Sequence, residues 1–250
     1  MAVLGIFDSG SGGLSVYREI LKLLPCEKYI YFADTAWCPY GEKSAEQIRE
    51  RACRITELLL SKGADIIVIA CNTATSAAIS YLRKHYSNKF VGMEPALKPA
   101  ALGTKSGVIG VLATAGTLKG FKYLQSKEIY EEDVRIEERV GDGFVELVEK
   151  GETIGEDAER IVEKSLKPLL ESGADTIVLG CTHYPFLRET IEKLAGKGIK
   201  VIDPAPAVAR RVAEVIEEEK IPFEKTCKAP NIELMSSGPI ESLLRTYRQL

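Results

Sequence analysis

The chain carries one pattern twice. KGADIIVIACNTAT runs from Lys62 to Thr75, and SGADTIVLGCTHYP runs from Ser172 to Pro185. The Gly-Ala-Asp, the apolar run and the cysteine align, with Cys71 and Cys181 standing 110 positions apart. Flanking features keep nearly the same offset. Glu94 in GMEPA matches Asp203 in IDPAP at 109, and Gly5 in VLGIFDSGSG matches Gly110 in VIGVLATAG at 105. Ser44 with Gln47, and Thr153 with Glu156, each read as a capping box, opening helices that end at Gly63 and Gly173. Pro168 falls inside the second helix and is expected to kink it. Matches in register at several places indicate two copies of one unit.

Each unit reads strand, loop, helix, strand, helix, strand. The β-rich runs IIVIA and TIVLG suit buried parallel strands, and their alternation with amphipathic helices implies an α/β fold. The expected architecture is two pseudo-symmetric α/β domains, each a mainly parallel sheet flanked by helices, with a site at their interface. Residues 1–97 form the first and 98–206 the second. The tail 207–250, with a helical stretch from Ala207 to Lys220, returns to the first domain, since no third copy exists for it to complete. A chain of 250 residues buries roughly 70–75% of its surface and needs no staples.

The net charge of −3 argues against nucleic acid as a partner, because no cationic surplus offsets phosphates. No stretch approaches the ~20 apolar residues of a membrane span, and the opening apolar run is too short for a signal peptide. A cytoplasmic protein is expected. None of the six cysteines forms a C-x-x-C pair, and disulfides are not expected in that compartment. Cys26, Cys53 and Cys227 read as small buried hydrophobes.

Both repeat cysteines stand where a strand ends and a helix begins, which is where open α/β sheets bind ligands. Asn72 and Thr73 read as N-caps for the helix after Cys71, while Pro185 suits the first turn after Thr182. A helix N-terminus favours thiolate over thiol. If the units face each other, one thiolate removes a proton from carbon and one thiol returns a proton to the other face, with no cofactor. His183, two residues past Cys181, is a candidate acid–base partner; His85 reads as exposed. The loop Ser9-Gly10-Ser11-Gly12-Gly13 lacks the lysine of a phosphate cradle, and Asp8 at its mouth repels anions, so it suits an amino group.

These motifs resemble the cofactor-independent aspartate/glutamate racemases, and glutamate racemase in particular. GIFDSGSGGLSV, ADTAWCPYG, VIACNTAT, MEPALKPA, GVLATAGT, FVELVEKG, LGCTHYPFL and the late SSG carry the resemblance across nearly the whole chain. It implies that Cys71 and Cys181 exchange the α-proton of glutamate and that no metal or cofactor takes part. It implies that Asp8 and Ser9 bind the amino group, with Asp8 assisting Cys71. Pro39, Tyr40 and Gly41 line the pocket, as do Asn72, Thr73, Thr75, Thr182 and His183. Thr114 and Thr117 hold a carboxylate, and Glu149 assists near Cys181. A homodimer supplying D-glutamate for peptidoglycan is expected. The chain departs from the family at Trp37, where arginine is usual, at Gly141-Asp142-Gly143 before FVELVE, and at Ser11, where valine is usual. No long N-terminal extension is present, so activation by a peptidoglycan precursor is not expected. Other readings are an aspartate racemase, a cysteine hydrolase built on Cys181 and His183, a metal site from Asp8, Cys71, Cys181 and His183, or a non-catalytic binding protein.

Overall fold

The structure, a computed structural model, describes residues 1–223 and 229–250. The chain begins β1 (Val3–Asp8), α1 (Leu14–Leu23), β2 (Lys28–Ala33), α2 (Ala45–Ser61), β3 (Ile66–Ile69), α3 (Asn72–His85) and β4 (Lys89–Gly92). It continues with α4 (Leu97–Gly103), β5 (Val108–Ala113), α5 (Ala115–Leu118), α6 (Phe121–Tyr130), β6 (Arg135–Val140), α7 (Phe144–Lys150) and α8 (Glu156–Glu171). β7 (Thr176–Gly180), α9 (Arg188–Ala195), β8 (Lys200–Ile202), α10 (Ala205–Glu218), β9 (Asn231–Ser236) and α11 (Glu241–Tyr247) complete it.

Two parallel sheets result, in the orders β4-β3-β1-β2-β9 and β6-β5-β7-β8. Apart from β9, the orders are the same, which is the repeat made visible. Each half has four strands where the sequence suggested three. The one missed in the second half, β6, is an edge strand of sequence RIEERV with no fully buried residue, so no apolar run marks it. Each sheet carries an apolar cluster on both faces, which is why β1 and β3 are nearly all apolar. The tail supplies β9, paired in parallel with β2, while α10 packs on α1.

The repeat extends to side-chain packing. A Cβ at Gly5 would stand 3.1 Å from Leu59 Cβ and 3.0 Å from Ile67; one at Gly110 would stand 3.1 Å from Leu169 Cβ and 2.7 Å from Ile177. Both glycines let a helix lie directly on its strand. Ser44 forms the expected capping box with Gln47. Thr153 does not form one with Glu156: α8 starts from Gly155, whose φ of +101° turns the chain in without a side-chain cap. Thr153 instead offers its carbonyl to the Thr190 hydroxyl. α8 runs through Pro168 to Glu171, and Gly63 and Gly173 end their helices with φ of +86° and +91°. Cys26 is disulfide-bonded, contrary to expectation; Cys53 is a half-buried free thiol against the core. Cys227 lies outside the described residues. No helix among the described residues is long and apolar enough to cross a membrane.

Candidate active site

β1 delivers Asp8 to the carboxyl end of the first sheet, fully buried. The glycine loop then folds back on it. Gly13 N–H donates to Asp8 Oδ2 at 2.8 Å, Gly10 N–H reaches it at 3.4 Å, and the Thr182 hydroxyl donates at 3.3 Å. The next donors of the loop serve a second acid. Ser11 N–H and Ser11 Oγ donate to Glu149 Oε1 at 2.7 and 3.0 Å. The backbone donors of Gly10, Ser11 and Gly13 are thus taken up by two of the protein's own carboxylates, while Ser9 lines the cleft. The glycines also admit the other half of the chain. A Cβ on Gly10 would lie 2.4 Å from Glu149 Oε1, and one on Gly12 would lie 2.4 Å from His183 Nδ1.

Cys71 follows β3 and is itself the N-cap of α3, accepting Ala74 N–H on Sγ at 3.4 Å. Asn72 and Thr73, expected as caps, are the first helical residues. The Cys71 thiol points at Ser9 Oγ, 3.8 Å away. Its pKa is not lowered as expected. Burial and the nearby Asp8 charge push it well above 9.0, outweighing the Ala74 N–H and Ser9. Burial also raises Asp8, against the opposing pull of His183 and the loop N–H groups. Burial thus shifts both of these adjacent groups toward their neutral forms, which suits them to pass a proton between them.

Cys181 follows β7. The turn after Cys181 brings His183 Nδ1 to 3.8 Å from its Sγ, so the candidate acid–base partner stands beside the thiol. His183 Nε2 meets Glu149 Oε1 at 2.8 Å. Burial works against a charged imidazole, yet the bonds to Cys181 and Glu149 outweigh it and hold His183 well above 6.5. Burial would raise Glu149, but His183 and Ser11 pull it down to about 2. An imidazolium–carboxylate pair therefore stands behind the second thiol. The Gly-Asp-Gly departure serves this contact. Gly143, with φ of +81°, caps α7, and Gly141 lies so close to Tyr184 that a Cβ would stand 2.5 Å from its hydroxyl.

One cleft is lined by Cys71 and Cys181 together with Ser9, Pro39, Tyr40, Gly41, Asn72, Thr73, Thr114, Thr117, Thr182 and His183. Thr75 is not among the lining residues: its hydroxyl donates to Ile69 O and accepts Met93 N–H, tying α3 to the strand ends. The hydroxyls of Thr73, Thr114 and Thr117 form a triangle with sides of 3.1, 3.2 and 2.9 Å. The buried Asn72 Nδ2 has no hydrogen-bond partner. The Tyr40 wall is braced from behind. Its hydroxyl donates to the buried Asp34, which Arg51 grips through both oxygens, and Arg51 stacks 5.1 Å from the centre of the Trp37 ring. Trp37 therefore holds a brace of the pocket wall.

Sequence reasoning missed Val145 in the lining, Ser11 as a partner of Glu149, and Cys38. The Cys38 sulfur, a Glu149 carboxylate oxygen and a ring nitrogen of His183 lie within 4.8 Å of one another, a donor set different from the metal group considered from the sequence. Glu149 and His183 already bond each other. The Cys38 signal was its place beside Pro39 in CPYG, and the Ser11 signal was a serine where valine is usual; Val145 gave none.

Comparison with known proteins agrees with this geometry. The Asp/Glu/Hydantoin racemase family matches residues 4–212. Glutamate racemase of Herpetosiphon aurantiacus is 46% identical over 235 residues, 94% of this chain and 92% of its own length. That of Pseudomonas aeruginosa is 48% identical over 216 residues, 86% and 82%. Among solved structures, Escherichia coli glutamate racemase in complex with L-glutamate and the activator UDP-MurNAc-Ala superposes with a TM-score of 0.87 at 35% identity, covering 99% of this chain and 94% of that one. The Francisella tularensis enzyme in complex with D-glutamate gives 0.83 at 26% identity, covering 99% and 92%. With two matched thiols in one cleft and this likeness along nearly its whole length, the chain belongs to the Asp/Glu/Hydantoin racemase family.

Proposed function

We propose that the protein is a glutamate racemase that interconverts L- and D-glutamate through two thiols without a cofactor. The observation that carries this is the pair Cys71 and Cys181, set at matching ends of two like sheets and lining one cleft with different helpers. Asp8 and Ser9 stand by Cys71; His183 and Glu149 stand by Cys181. Cys71 takes the α-proton from D-glutamate and Cys181 takes it from L-glutamate, each thiol returning a proton to the carbanion left by the other. The imidazolium of His183 gives a proton to the Cys181 thiolate and the neutral imidazole so formed takes it back, and the Asp8 carboxyl plays the same part for Cys71. Asp8 and Ser9 hold the ammonium group. The threonine triangle and the unpartnered Asn72 amide supply donors for a carboxylate. The names of the relatives favour glutamate over aspartate.

In this reading residues 1–97 with 207–250 form one domain and 98–206 the other, with the cleft between. The enzyme works in the cytoplasm as a homodimer and supplies D-glutamate for peptidoglycan. The test is α-deuterium uptake, followed by NMR in deuterated water, with each enantiomer offered to each single-cysteine variant. Neither Cys71→Ala nor Cys181→Ala racemises glutamate; Cys181→Ala still exchanges D-glutamate, and Cys71→Ala exchanges L-glutamate. Racemisation by either variant would refute the two-thiol mechanism. Circular dichroism with L-aspartate in place of L-glutamate decides the substrate.

A further inference from the structure

The C-terminal helix reaches the second thiol through a chain of buried hydroxyls. Thr246 on α11 donates to Ser11 Oγ at 2.9 Å, and Ser11 Oγ donates to Glu149 Oε1 at 3.0 Å. Glu149 Oε1 meets His183 Nε2 at 2.8 Å, and His183 Nδ1 meets Cys181 Sγ at 3.8 Å. Ser11 is fully buried and Thr246 is 2% exposed, so each hydroxyl must find its partner within the protein. Ser11 has one proton to give. With Thr246 occupying a lone pair of its oxygen, that proton turns to Glu149. Thr246 has a second acceptor, Ser242 O at 3.1 Å, so its proton is shared between its own helix and the loop. α11 grips the same acid from its backbone side as well: Arg245 Nη1 donates to the carbonyls of Glu149 and Lys150 at 3.3 and 2.5 Å.

We propose that Thr246 is a positioning residue for proton transfer at Cys181, acting through Ser11 and Glu149 on His183. The proposal rests on the two-thiol reading above. Thr246 touches neither thiol. Among the described residues no such chain of hydroxyls runs from α11 to Cys71, whose bonded neighbours are Ser9, Ala74 and Asp8. The effect of losing the Thr246 hydroxyl is therefore confined to one face of the substrate.

That asymmetry makes the proposal testable. The enantiomers have equal free energy, so kcat/KM falls equally in both directions whichever thiol is impaired. The α-deuterium isotope effect on kcat/KM does distinguish the faces. Thr246→Val keeps the size and removes the hydroxyl. Racemisation falls about three- to tenfold, the scale of one buried hydrogen bond. The isotope effect with α-deuterated L-glutamate rises, because its proton leaves to Cys181. The effect with α-deuterated D-glutamate falls, because its proton leaves to the unimpaired Cys71. Thr246→Ser restores both. Ser11→Ala breaks the chain from its other end and gives the same pair of shifts, which covers a poorly folded Thr246→Val. Isotope effects that stay unchanged or move together overturn the proposal, as does full activity in Thr246→Val and Ser11→Ala. Opposite shifts with the enantiomers exchanged uphold the relay and refute the assignment of Cys181 to L-glutamate.

Discussion

Glu149→Gln removes one negative charge and keeps the shape of the side chain. The carboxyl is brought from its usual 4.5 down to about 2, chiefly by its bonds to His183 and Ser11 working against burial. At ~1.4 kcal/mol per pH unit, the native structure favours the ionised form by about 3 kcal/mol. The side chain is 20% exposed, so solvent screening reduces this only in part. The sign follows from each partner. A depressed carboxyl contributes its stability fully above pH 4.5 and loses it as the pH falls toward about 2. His183, held above 6.5, contributes fully below pH 6.5 and loses its share as the pH rises through its raised value. The pair is thus at full strength between pH 4.5 and 6.5. Urea unfolding in that window is expected to show the variant less stable by about 2–3 kcal/mol, with the gap shrinking toward about pH 2. A cycle with His183→Asn and the double variant isolates the pair. A coupling below about 0.5 kcal/mol, or a gap that ignores pH, would refute the ion-pair argument. Activity of the variant falls by about 10²-fold, since His183 loses the charge that holds it protonated and aimed.

Asp8→Asn removes the titratable carboxyl beside Cys71 while leaving the loop hydrogen bonds a partner; activity falls by about 10²-fold or more, and wild-type kinetics contradict the role given to Asp8. Gly12→Ala places a methyl 2.4 Å from His183 Nδ1 and must displace the ring. It is expected to cut turnover sharply with the far-ultraviolet dichroism unchanged, and retained turnover is the contrary result. Arg51→Ala leaves Asp34 buried with Tyr40 as its remaining side-chain partner among the described residues, at a cost of about 3 kcal/mol or more. The corresponding fall in Tm is roughly 6–12 °C. An unchanged Tm means that Trp37 and Arg51 do not brace the wall.

The sequence by itself determined the duplicated α/β plan. Parallel strands buried on both faces must be apolar throughout, and that signal is local, so IIVI and TIVLG announced themselves along with the cysteines at their ends. The same locality explains what it hid. β6 lies at an edge with one side solvated, so its charged residues cost little and no run marks it. Capping at Ser44 was legible because donor and acceptor sit three residues apart; at Thr153 a threonine and glutamate at the same spacing precede Gly155, whose positive φ enters the helix another way. Only the tertiary structure decided what surrounds each thiol. Ser11 and Glu149 are 138 positions apart, and Ser11 and Thr246 are 235 apart. No spacing rule couples such residues, and their partnership exists only because the two sheets and the tail close on one point. The pKa of Cys71 belongs to the same class. A helix N-terminus reads as a lowered pKa from sequence, but burial and Asp8 act through the folded surroundings and reverse it. Hydrophobic periodicity is written along the chain, whereas desolvation and long-range hydrogen bonds arise only when distant segments exclude water together.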